Sequence, residues 1–69
     1  MTTEPTIKFY AMTAEAAEAE LGLSPSNPAD KFVVVEFWVE ADLYEYSGAY
    51  RTEADLLKDL KGEVYEWYN

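Results

Sequence analysis

Apolar and polar positions along this chain switch between a two-residue and a helical period, and the switches divide it into six short elements. After a frayed start over residues 1–5, Pro5 opens onto Thr6-Ile7-Lys8-Phe9-Tyr10, which reads as a short first strand. Thr13 then offers an N-cap, Glu15 sits where a helix dipole favours negative charge, and Ala14, Ala16, Ala17 and Ala19 are strong helix formers. A helix is predicted to about Leu21, closed by Gly22, because two prolines in Ser24-Pro25-Ser26-Asn27-Pro28 bias the chain away from helix. Residues 31–40 are dense in β-branched and aromatic side chains with no breaker, so they predict the main strand. On it Val33, Val35, Phe37 and Val39 form an apolar face, and Phe32, Val34, Glu36, Trp38 and Glu40 form a mixed one.

An acidic turn at Ala41-Asp42 leads into Leu43-Tyr44-Glu45-Tyr46, which alternates again and pairs back as a hairpin, with Ser47-Gly48 marking a bulge or the strand end. Thr52 caps a second helix, Asp55 completes a variant capping box, and Leu56, Leu57 and Leu60 form its buried stripe before Gly62. Residues 64–68 alternate once more as a last strand. The order β-α-β-β-α-β predicts an α+β domain of the ferredoxin-like type, a small antiparallel sheet with two short helices on one face. A hairpin turning at Ser47-Gly48, which would give three strands, is the competing topology.

Length narrows the picture further. Sixty-nine residues allow one domain, spanning 1–69, with barely enough buried surface to offset ordering entropy. Eleven aromatic residues supply the missing area, since the chain has neither cysteine nor histidine to build a disulfide or a zinc site. No stretch has the layout of a signal peptide, and the longest apolar run, residues 32–35, is far too short to span a bilayer, which predicts a cytoplasmic protein.

Charge changes the functional picture most. Fourteen carboxylates against five cations give a net charge of −9, which disfavours nucleic acid and anionic membrane as direct ligands and favours a basic partner. Catalysis is not expected: histidine and cysteine are absent, and Glu36 and Glu40 lie two pleats apart on one strand face, about 13 Å, too far for a glycosidase pair. No calcium-loop spacing occurs among the acids, so neither a metal nor another cofactor is expected. Aromatics interleaved with acids suit a protein surface, where tryptophan and tyrosine serve as anchors.

In length, acidity and interleaving, as in Val35-Glu36-Phe37-Trp38-Val39-Glu40-Ala41-Asp42-Leu43-Tyr44-Glu45-Tyr46, the chain resembles the small acidic inhibitors of bacteriophages and mobile elements, anti-CRISPR proteins and other DNA mimics. That resemblance implies an inhibitor occupying a basic nucleic-acid-binding site on an effector or nuclease in the host cytoplasm. Glu15, Glu18, Glu36, Glu40, Asp42 and Glu45 would stand in for phosphates, with Trp38 or Tyr44 as an apolar anchor. An immunity or antitoxin-like protein neutralising a basic nuclease would need the same face, and an acidic regulatory domain without mimicry would scatter its carboxylates evenly.

Overall fold

A computed structural model describes residues 6–68, and the frayed start expected for residues 1–5 lies outside them. The elements are β1 (Ile7–Thr13), α1 (Ala14–Leu21), β2 (Phe32–Trp38), β3 (Leu43–Tyr50), α2 (Glu53–Asp59) and β4 (Glu66–Trp67). Two helices and a four-stranded mixed sheet make the domain α+β, with the β-α-β-β-α-β element order of a ferredoxin-like domain, as read from the sequence. No helix among the described residues is long and apolar enough to cross a membrane.

Local chemistry sets the boundaries. The Thr13 hydroxyl accepts the Ala16 N–H at 3.1 Å to start α1, and Gly22, in the left-handed region at φ 69°, ends it. There the N–H of Leu23 reaches back to the Ala17 carbonyl at 3.2 Å. Thr52 repeats the N-terminal device for α2, accepting the Asp55 N–H at 3.2 Å. The hairpin between β2 and β3 turns through residues 39–42, with Asp42 in the left-handed region at φ 52°. This excludes a turn at Ser47-Gly48. β3 instead runs on to Tyr50 and carries a bulge there: Gly48 faces Val34, Tyr46 faces Val35, and Ser47 is the extra residue. A side chain at position 48 would come within 3.0 Å of the Tyr50 hydroxyl, which accounts for the glycine.

The strands lie in the order β3-β2-β1-β4, with β1 antiparallel to β2 and β2 antiparallel to β3. Two expectations are corrected. The sheet is not wholly antiparallel, because α2 carries the chain from one edge to the other and β4 returns parallel to β1. Nor do the helices share a face. Met12, Val33 and Val35 pack with Ala17 of α1, whereas Ala11 and Val34 pack with Leu56 and Leu60 of α2. Adjacent residues of a strand point to opposite faces, so the two cores lie on opposite sides of the sheet. Physically, the unbroken run Val33-Val34-Val35 is buried on both sides, as central strands are, and each side requires its own cover.

Smaller expectations also shift. Leu57 lies outside the buried stripe, 42% exposed, because only Leu56 and Leu60, one turn apart, meet the sheet. Gly62 does not cap α2 directly; Leu60 does, and Gly62 takes its positive φ in the turn beyond. The last strand covers Glu66–Trp67 only, not residues 64–68. The first strand runs past Tyr10 to Thr13.

A hydrogen bond from the Tyr50 hydroxyl to the Asp59 carboxylate ties the end of α2 to the sheet. Burial, and then this bond, push the Tyr50 phenol up to about 12. The folded state thus favours the neutral phenol, so this stabilisation is complete below pH about 10 and is lost as pH rises through about 12. Alkaline unfolding followed by circular dichroism should show that loss. Tyr50→Phe should cost about 0.5–1.5 kcal/mol at neutral pH and shrink the further loss between pH 10 and 12. Tyr44 and Tyr46 are raised in the same direction and leave a remainder. An unchanged alkaline profile in the variant would mean that Tyr50 does not bind α2 in this way.

Candidate protein-binding face

Among the described residues, the α2 side of the sheet is only half covered. Seven helical residues rise about 10 Å, whereas the seven residues of β2 extend about 23 Å. Leu56 and Leu60 sit over Ala11 and Val34, flanked by Phe9, Phe32, Tyr50 and Tyr65. Glu36, Trp38, Leu43 and Glu45 belong to the same face by alternation but lie beyond that footprint, toward the hairpin.

Register assembles them. Glu36 of β2 is directly opposite Glu45 of β3, and Trp38 is opposite Leu43. Across the other ladder Glu36 faces Phe9 and Trp38 faces Ile7. Glu36 therefore has Phe9, Val34, Trp38 and Glu45 as its neighbours in the sheet on this side, none of them cationic. Directly opposed residues bring their Cβ atoms to about 4.5–5.5 Å, and two like charges at that separation destabilise the pair. The Ser47 hydroxyl donates a long hydrogen bond of 3.5 Å to Glu36. Glu36 and Trp38 are half-buried, Glu45 is exposed, and Leu43 is 48% exposed. The indole Nε1–H of Trp38 is buried with no hydrogen-bond partner among the described residues.

Glu40 and Asp42 stand in the hairpin turn at the rim of this patch. Glu40 accepts the Thr6 N–H at 2.8 Å, which holds its carboxyl below the ordinary value of 4.5 and fixes the turn against β1. From residue 32 to residue 50 the chain has four carboxylates and no lysine or arginine, so the rim and the patch form a one-sign surface.

The other anticipated residues lie elsewhere. Tyr44 is on the α1 side, stacked on Phe37 with ring centroids 4.5 Å apart. Burial raises its phenol, followed by the neighbouring Tyr68 and Tyr10. Glu15 and Glu18 line a cleft of about 560 Å³ between the start of α1 and the loop before β2, beside Asp30 and Lys31. That end of the sheet, where Thr13 pairs with Phe32, is about 20 Å from the hairpin end. The eight residues thus divide into Glu36, Trp38, Glu40, Asp42 and Glu45 in one region, and Tyr44, Glu15 and Glu18 outside it. Leu43, apolar and opposite Trp38, completes the patch; its place in the alternating run after the turn was the signal for it.

Among the described residues no group of three or more acidic side chains is placed to hold a metal ion. Comparison of the chain with protein-family models, with curated proteins and with solved structures returns no match.

Because Glu36 and Glu45 face one another with no cation beside them among the described residues, Glu45→Gln should stabilise the free protein by about 0.2–1 kcal/mol in urea denaturation. A loss of stability of that size would show that Glu45 makes a favourable contact of its own.

Proposed function

We propose that the protein is a non-catalytic inhibitor that seats its uncovered acidic face in a basic nucleic-acid-binding groove of a target protein in the cytoplasm. The observation that carries this reading is the Glu36–Glu45 pair, held directly opposite on a rigid sheet beside Trp38 and Leu43. In the free protein the pair is unfavourable, and a cationic partner relieves it. Natural proteins retain local costs of this kind where function needs them.

Magnitudes refine the mimicry. Glu36 and Glu45 stand side by side on β2 and β3, and Glu40 and Asp42 follow in the turn that joins them, so four carboxylates share the hairpin end. A duplex carries one charge about every 1.7 Å of axis on its two strands together, denser than these four carboxylates interleaved with apolar side chains. The interleaving suits a groove for one strand. Single-strand grooves also stack bases on apolar surface between phosphate contacts, a demand that Trp38 and Leu43 meet and a uniformly charged duplex mimic would not. The target groove inferred here is one that holds a guide or a single strand, in an effector complex or a nuclease.

The target can be captured from a bacterial host and identified by mass spectrometry, and the complex then titrated with salt and oligonucleotides. Single-stranded oligonucleotide should displace the protein, and affinity should fall about tenfold or more between 50 and 200 mM NaCl. Paired reversal of Glu36 and Glu45 to lysine should weaken binding about a hundredfold, against less than about threefold for Glu20 and Glu53. Affinity indifferent to salt and to nucleic acid, or equal losses in both double variants, would overturn the reading.

A further inference from the structure

β1 is paired along its whole length by β2 on one side, but on the other side β4 meets it only at Tyr10 and Ala11. The chain approaching β4 stays apart from residues 7–9 because Tyr65 turns into the α2 core, after a turn in which the Glu63 N–H bonds the Leu60 carbonyl at 2.9 Å. The result is a fork between the lower half of β1 and residues 62–66, an open groove of about 360 Å³.

Backbone direction determines what this groove offers. The Thr6 carbonyl accepts from Val39 on the β2 side, and the Ala11 carbonyl accepts from Tyr68 on the β4 side. Because successive residues of a strand alternate in direction, Ile7 and Phe9 turn their peptide groups to the β4 side, where among the described residues no strand lies beside Ile7. An open strand edge is a template for another strand, and proteins protect such edges with bulges or charge. The opposite edge of this sheet is interrupted in that way by the bulge at Ser47. The β1 edge has no bulge and stands beside Val64, the most exposed large apolar side chain among the described residues, at 88%.

We propose that this fork is a strand-addition site that takes an extended, basic segment of a partner protein. A strand satisfies the free peptide groups, Val64 and Phe9 receive its apolar side chains, and among the lining residues the carboxylates of Glu63 and Glu66 outnumber the cation of Lys8. A second copy of this chain is the less suitable occupant, since each copy carries a net charge of −9. The site occupies the far edge of β1 from the Glu36–Glu45 pair and stands whether or not that face binds a nucleic-acid groove.

The test uses the full chain, labelled with ¹⁵N, and three capped octapeptides: alternating lysine and valine, alternating glutamate and valine, and the lysine peptide with prolines replacing its valines. The lysine–valine peptide should slow amide exchange of Ile7 by about tenfold and shift the Ile7, Phe9 and Val64 resonances, and the other two should not. Val64→Lys, at an exposed position, should weaken this peptide about fivefold, while Glu45→Gln, on β3 two strands away from β1, should alter it less than about twofold. Equal effects from the proline peptide would reduce the interaction to charge alone and overturn the proposal. So would an Ile7 amide already protected in the free protein, whether by residues 1–5 or by a dimer seen in sedimentation.

Discussion

Burial of Val33, Val34 and Val35 from both sides at once is the constraint on which the remainder of this small domain depends. Consecutive strand residues point in opposite directions, so one run of three valines needs two covers, one per face. The alanines of α1 let that helix lie close over Met12, Val33 and Val35, while Leu56 and Leu60 of α2 reach down to Ala11 and Val34. Among the described residues eight apolar ones and no polar one are buried, so neither cover has a substitute there. Truncating a leucine in such a core costs about 2–5 kcal/mol, a large share of the stability of any domain.

The uncovered acidic patch follows from the same arrangement. A seven-residue helix cannot span a seven-residue strand, and α2 is anchored at the end where β3 finishes. The hairpin half of that face is left to Glu36, Trp38, Leu43 and Glu45, on a sheet whose register is fixed by the valines a few residues away. Rigid placement distinguishes this surface from a flexible acidic tail: the carboxylates are presented at strand spacing, and ordering them on binding costs little further entropy.

Much of this was legible in the residues. Thr13, Gly22 and Thr52 marked helix ends through capping chemistry that is local and therefore readable, and the β-branched run around residues 32–38 announced the central strand. The bulge at Ser47-Gly48 was one of two readings, and the ladder with β2 decided it. What was not legible depended on tertiary packing. By parity Val34 belongs with Glu36 and Trp38 on a mixed face, yet α2 covers Val34 and stops short of the other two. The direction of β4 depends on where α2 deposits the chain, which no local pattern encodes. Of the site, the segment from Glu36 to Glu45 is recognisable as dense one-sign charge, but Tyr44 within it falls on the other face because adjacent positions separate across a sheet.

The half-covered face requires the two helices to lie on opposite sides of β2, and methyl–methyl nuclear Overhauser effects report on that directly. Contacts from the Val34 methyls should go to Leu56 and Leu60, and contacts from Val33 and Val35 should go to Ala17, with no crossing between the sets. Strong contacts from Leu56 to Val33 or Val35 would put both helices on one side, leave Val34 uncovered, and contradict the half-covered acidic face derived from this arrangement.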